Sequence, residues 1–110
     1  MRNFKFIFSV LLIMASVVLT SCGKGYDVRF TNYNTEVIDT VIIGKNSVVF
    51  SQIERLTTTD YKKISTGNQT IKCITKTKKI YSSSISIPKK GTGKRTIQID
   101  GLNSISILED

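Results

Sequence analysis

The sequence predicts an all-β domain, a small antiparallel β-sandwich of seven or eight short strands. Three observations predict it. Apolar and polar residues alternate with period two along most of residues 26–110. Turn residues interrupt that alternation roughly every 8–12 residues, and β-branched side chains dominate the runs between them. No stretch in this region carries the 3.6-residue period of a helix, so two packed sheets are the architecture that buries one face of each strand.

The elements follow in order. Tyr26-Asp27-Val28-Arg29-Phe30-Thr31-Asn32 alternates cleanly and puts Val28 and Phe30 on one face. Val37 to Ile43 is a second strand, stopped by Gly44-Lys45-Asn46-Ser47, and Val48-Val49-Phe50 a third. Ser51 to Thr59 lacks a period and reads as a loop carrying Ile53 and Leu56. Asp60 to Ser65 resumes the strand pattern, and Thr66-Gly67-Asn68 turns it. Gln69 to Lys76 places Ile71 and Cys73 on one face and Lys72, Ile74 and Lys76 on the other. After a turn near Thr77-Lys78, Lys79 to Ile87 aligns Tyr81, Ser83, Ile85 and Ile87. Pro88 to Gly93 reads as a loop. Thr96-Ile97-Gln98-Ile99 and Ser104-Ile105-Ser106-Ile107 form a hairpin around Asp100-Gly101-Leu102-Asn103.

The chain has 110 residues, which is one domain's length. It has no His, so Ser-His-Asp and Cys-His catalysis, His-ligated zinc and imidazole pH switching are all excluded. Its two Cys are too few for an all-thiolate metal site. The first residues tell more. Arg2 and Lys5 precede an apolar run from Phe6 to Leu19, broken only by Ser9 and Ser16, which is too short to cross a bilayer as a helix. A basic start, a short apolar core and small residues are the parts of a secretory signal. The tetrapeptide that follows, Leu19-Thr20-Ser21-Cys22, resembles the bacterial lipobox.

That resemblance implies a bacterial lipoprotein with signal peptide 1–21, a lipidated N-terminus and short tether over 22–25, and a β-sandwich over 26–110. It also implies that the Cys22 thiol carries a diacylglyceryl thioether and that the new amino terminus is acylated, so that several acyl chains (palmitate or its equivalents) anchor the protein stably where one would bind only reversibly. The alternative is an uncleaved signal anchor with an incidental Cys22. Gly23 stands where an Asp would, by analogy with some Gram-negative lipoproteins, favour the inner membrane. Residues 23–26 also lack the acidic cluster that resembles a surface-export tag. The expected location is the cell envelope, in the outer membrane facing the periplasm. With Cys22 committed to lipid, Cys73 is unpaired and the domain folds without a disulfide.

The layout of the remaining chain is similar to small transthyretin-like or immunoglobulin-like lipoprotein domains. The features are Val28-Arg29-Phe30-Thr31-Asn32, Thr58-Thr59-Asp60-Tyr61-Lys62 before a strand, the Gly67 turn and the closing Ile107-Leu108-Glu109-Asp110. The Cys…Trp…Cys signature of true immunoglobulin domains is missing. A fold of this kind implies no function.

Charge is distributed unevenly. Ten bases and no acid lie between Lys62 and Arg95, whereas residues 22–61 are near neutral and 96–110 hold three acids and no base. Two readings stand. In one, the lysines solvate strand faces and discourage edge-to-edge pairing. In the other, Lys72, Lys76, Lys78 and Lys79 on one hairpin join Lys89, Lys90, Lys94 and Arg95 at the next loop in an anion-binding surface. Such a surface would meet lipid headgroups, phosphates, cell-wall polymers or an acidic protein. Nucleic acid is not an expected partner: export removes it, and Tyr81 is the sole aromatic in the basic segment.

Gly91-Thr92-Gly93-Lys94-Arg95 is no phosphate loop, because the first required Gly falls at Pro88 and Arg95 stands where Ser or Thr would hold magnesium. Cys73 reads as a buried, inert thiol. The dispersed acids form no calcium loop. Asp39-Thr40-Val41 and Asn68-Gln69-Thr70 match O- and N-glycosylation patterns at Thr40 and Asn68, but both are short enough to arise by chance and assign no site. The expectation is therefore a non-catalytic binding or accessory module with no cofactor and no metal. A structural or assembly subunit, or an inhibitor of an envelope enzyme, is the alternative.

Overall fold

The computed structural model describes residues 25–45 and 47–110. The signal segment 1–21 and the Cys22 anchor lie outside the described residues. Eight strands form: β1 (Gly25–Asn32), β2 (Ile38–Ile43), β3 (Val48–Ile53), β4 (Lys62–Ile64), β5 (Gly67–Thr75), β6 (Ile80–Ile87), β7 (Thr92–Ile99) and β8 (Ile105–Glu109). They divide into two four-stranded sheets, ordered β4-β1-β7-β8 and β3-β2-β5-β6, with no helix among the described residues. The sandwich read from the alternation is the one that forms.

The core lies between the sheets. Val28, Phe30, Ile97 and Ile99 of the first sheet are fully buried, as are Val41, Ile43, Ile71 and Cys73 of the second. Each large aliphatic or aromatic side chain buried this way stabilises the fold by about 1.5–3 kcal/mol. The register accounts for the faces: Val41 pairs with Cys73 and Ile43 with Ile71, so the inward rows of β2 and β5 meet side by side.

One pairing departs from the expected antiparallel arrangement. β1 and β7 run parallel over their full length, from Gly25↔Thr92 to Asn32↔Ile99. Every other strand pair is antiparallel. The period of two says which side chains face inward but carries no information on strand direction. The chain leaves β1 for β2 and β3 of the second sheet, returns for β4, crosses again for β5 and β6, and enters β7 from the end where β1 began. That long detour is the kind of connection a parallel pair requires.

Four other boundaries move. The stretch read as a loop from Ser51 to Thr59 continues β3 through Ile53, which is buried, after Gln52 takes a positive φ of 52°. Its remainder runs along β1: Leu56 N–H donates to Asn32 O, Asn32 N–H to Thr57 O, and Thr59 N–H to Phe30 O. The Asp60–Ser65 strand shrinks to Lys62–Ile64, because the preceding residues already satisfy the upper part of β1's edge. The Pro88–Gly93 loop is shorter than expected, since β7 begins at Thr92, and Gly67 starts β5 instead of lying in a turn.

The two ends of the sandwich follow from this topology. Gly25, Gly67, Ile87 and Thr92 are neighbours in the ladders, so the start of β1, the β6–β7 loop and the β2–β3 turn share one end. The end of β1, the β5–β6 hairpin and the β7–β8 turn share the other. At that second end the buried amides of Asn32 and Asn34 form a hub. Asn32 Nδ2 donates to Glu36 O at 2.9 Å and Ile53 O at 3.0 Å, and its Oδ1 accepts from Asn34 N–H. Asn34 Nδ2 donates to Asp100 O and Asn103 Oδ1, and its Oδ1 accepts from Glu36 N–H.

Candidate anion-binding surface

Eight basic residues are candidates, and the fold separates them. β6 is eight residues long, so the β5–β6 hairpin and the β6–β7 loop stand about 25 Å apart at opposite ends. Lys76, Lys78 and Lys79 sit in the hairpin with Lys78 at φ 70°. The turn is pinned by Lys78 N–H to Thr75 O at 2.9 Å and Lys79 N–H to Thr75 Oγ1 at 3.1 Å. It faces Glu36 of the β1–β2 connection and Asp39 of β2. Lys78 Nζ lies 3.0 Å from Asp39 Oδ2 and Lys79 Nζ 3.9 Å from Glu36 Oε2. Thr77 Oγ1 also donates to Glu36 Oε1 at 2.6 Å. The hairpin's charge is thus answered within the molecule, apart from Lys76.

Lys72 stands alone on the outer face of the second sheet, in a row with Ile42 and Ser82. Lys89 and Lys90 are exposed on the β6–β7 loop and make no ion pair among the described residues. The loop itself is held by Tyr26, whose hydroxyl donates to Lys90 O at 3.3 Å. Gly91 takes φ 97°, a conformation that disfavours a side chain.

Lys94 and Arg95 are consecutive in β7 and so face opposite ways. Lys94 points outward, its Nζ 4.8 Å from the centroid of the Tyr61 ring, and Arg29 Cζ lies at the same distance from that ring. Arg95 falls in the inward row with Ile97 and Ile99, so the sequence's grouping of it with the solvent lysines does not survive. Its side chain is 13% exposed. The guanidinium lies over Tyr26 at 5.4 Å, and Nη1 reaches Glu109 Oε1 at 2.7 Å, while its buried Nε has no hydrogen-bond partner. Gly93 permits this arrangement, for a Cβ there would meet Tyr26 Cε2 at 2.8 Å.

An open depression of about 220 Å³ lies at this end, lined by Tyr26, Thr92, Gly93, Lys94, Arg95, Glu109 and Asp110. Its two bases are matched by its two acids, so it offers little net attraction to an anion. Asp110 is held by Thr96 Oγ1, 2.6 Å from Oδ2 and 2.8 Å from Oδ1, and by the Tyr61 hydroxyl at 2.6 Å. Those two donors hold its carboxyl below the usual carboxylate range. The reciprocal bond to Asp110, aided by burial, raises the Tyr61 hydroxyl. The residues form a clamp on the last strand, with no nucleophile placed against a base.

The chemistry-bearing residues elsewhere are accounted for. Cys73 is fully buried, and burial pushes its thiol up to about 12. Among the described residues no group of three or more Cys, Asp or Glu could hold a metal ion. Thr40 is half-buried in β2, and Asn68 is exposed on β5 opposite Ser86.

The distribution of charge between the ends is the feature the linear reading missed. At the end where β1 starts lie seven bases, Lys45, Lys62, Lys63, Lys89, Lys90, Lys94 and Arg95, against three acids, Asp27, Glu109 and Asp110. At the far end Arg55, Lys76, Lys78 and Lys79 are balanced by Glu36, Asp39, Glu54 and Asp100. The only precursor in the sequence was the position of Lys89 and Lys90 relative to the first strand, which becomes informative once the β1–β7 pairing is known. No protein-family model matches this chain, and no curated protein matches it.

Proposed function

We propose that this chain is a lipid-anchored, non-catalytic binding or accessory module of the bacterial envelope, held through Cys22, and that its anion-contacting surface is the basic end around Lys89 and Lys90. One observation carries the second part. Lys89 and Lys90 are exposed, make no ion pair among the described residues and lie among an excess of bases, whereas Lys78 and Lys79 face Asp39 and Glu36. Cys22 precedes Gly25 by three residues, so anchor and basic end belong to the same side of the domain. The outer membrane facing the periplasm remains the location this reading favours.

The lipid anchor is tested by Cys22→Ala. The wild-type chain is expected to pellet with membranes and to carry acyl mass on Cys22, and the variant to lose both. A processed variant that still pelleted would refute the lipobox reading. The surface is tested by capture from solubilised envelope with wild-type bait, a Lys89→Glu/Lys90→Glu bait and a Lys78→Glu/Lys79→Glu bait. Capture by the wild type should fade over a few-fold rise in salt and be lost in the first variant but kept in the second.

A second reading has its own observation. β6 is an edge strand of eight residues, Ile80-Tyr81-Ser82-Ser83-Ser84-Ile85-Ser86-Ile87, and none is charged. Such an edge can accept an extended segment of an assembly partner. Capture that resists salt and survives both charge reversals would favour this assembly role.

A further inference from the structure

The tether limits what the basic end can reach. Three residues from Cys22 to Gly25 span at most about 11 Å of extended chain, so an acylated Cys22 keeps the start of β1 at the headgroup layer. The parallel β1–β7 pairing puts Thr92 beside Gly25, and the short loop before Thr92 brings Lys89 and Lys90 to the same level. Lys45 of the β2–β3 turn is exposed there too, and Lys94 pairs in register with Asp27. This end carries the domain's excess positive charge, while the far end is balanced.

We infer that the anionic partner of the basic end is the headgroup layer of the very membrane that holds Cys22, and that the sandwich stands upright on it. The inference rests on the lipid-anchor reading above. A domain on so short a leash has its Lys89–Lys90 loop at a high effective concentration against the bilayer, and each lysine near an anionic leaflet adds attraction that salt screens. The far end, with its neutral charge, has no reason to lie down. Upright orientation points Tyr33, Leu56 and Leu102 away from the membrane; they are 51%, 70% and 88% exposed and surround the Asn34 hub. These side chains are then the ones offered to other envelope proteins.

The test uses the full mature lipoprotein reconstituted into vesicles. Cysteines at Thr92→Cys or Leu102→Cys take a fluorescent donor, Cys73 being buried and Cys22 acylated, and an acceptor is carried on lipid headgroups. Vesicles are phosphatidylcholine alone or with about 30% phosphatidylglycerol. With anionic lipid, transfer from position 92 should exceed that from position 102 by about threefold, given strands about 25 Å long. The difference should shrink in neutral vesicles, at about 0.5 M salt, and in Lys89→Glu/Lys90→Glu, while the protein still floats with the vesicles.

Equal transfer from both positions in anionic vesicles would overturn the upright orientation and leave the anchor intact. A difference indifferent to lipid charge, salt and charge reversal would overturn the electrostatic contact. A wild-type chain with no acyl mass that fails to float would overturn the anchor reading, and this inference with it.

Discussion

The two ends of the sandwich are closed by opposite means. The far end is tied by two buried, uncharged amides, Asn32 and Asn34, whose donors and acceptors reach the β1–β2 and β7–β8 connections and the end of β3. The end where β1 starts is held by charges and rings: a largely buried Arg95 over Tyr26, and nearer the surface Lys94 and Arg29 against Tyr61 and Asp110 clamped by Thr96 and Tyr61. A buried amide that loses its partners costs its full desolvation, whereas a charge at the surface can turn to water. The difference teaches that losing a side chain should cost more at the far end than at the end where β1 starts.

The comparison breaks first at the amide hub. Asn32→Ala strands Glu36 O, Ile53 O and Asn34 N–H in a fully buried site, and is expected to cost about 3 kcal/mol in urea unfolding with an unchanged m-value. A loss below about 1 kcal/mol would mean that the hub decorates the end without holding it.

At the opposite end the effects should be smaller. Gly93→Ala drives a methyl into the Tyr26 ring and should cost about 1–2 kcal/mol. In a Tyr26→Ala background the same change should cost under about 0.5 kcal/mol, a coupling that a double-mutant cycle in thermal unfolding reads directly. Equal costs in both backgrounds would place the clash elsewhere.

Smaller again is the clamp on Asp110. Its folded-state carboxyl is lowered, so its contribution is present above the ordinary carboxylate value and is lost as pH falls through the folded one. Wild type should exceed Asp110→Asn by less than about 1 kcal/mol, steadily from pH 8 to pH 5, with the gap closing below about pH 4. A gap that widened with acid would reverse the assignment. Smallest is Lys78→Ala/Lys79→Ala, which removes exposed ion pairs to Asp39 and Glu36 and should change stability by no more than about 0.5 kcal/mol at moderate salt.

Much of the fold was legible because burial on one face imposes a period of two. Val28, Phe30, Ile71, Cys73, Ile85 and Ile87 could be placed inward from spacing alone, and the structure buries them all. The connection from Leu56 to Thr59 was not legible, since its role is to hydrogen-bond β1 through its backbone, which leaves no side-chain pattern. Arg95 was misread for a related reason. A strand reading that began at Thr96 omitted the first four residues of β7, and only the longer strand shows that Arg95 shares the inward row with Ile97. The Asn-x-Asn spacing of Asn32 and Asn34 at a strand end was a usable signal of a polar hub, but its partners lie in segments far along the chain.

By itself the sequence determined the fold class, the inward faces of most strands and the absence of imidazole chemistry, because each depends on residue identity or on short-range spacing. The tertiary structure alone decided strand direction and which charges become neighbours. Those depend on how the chain returns to a sheet it has left. That return placed Lys89 and Lys90 beside the start of β1 and sent Lys78 and Lys79 to the acids at the other end.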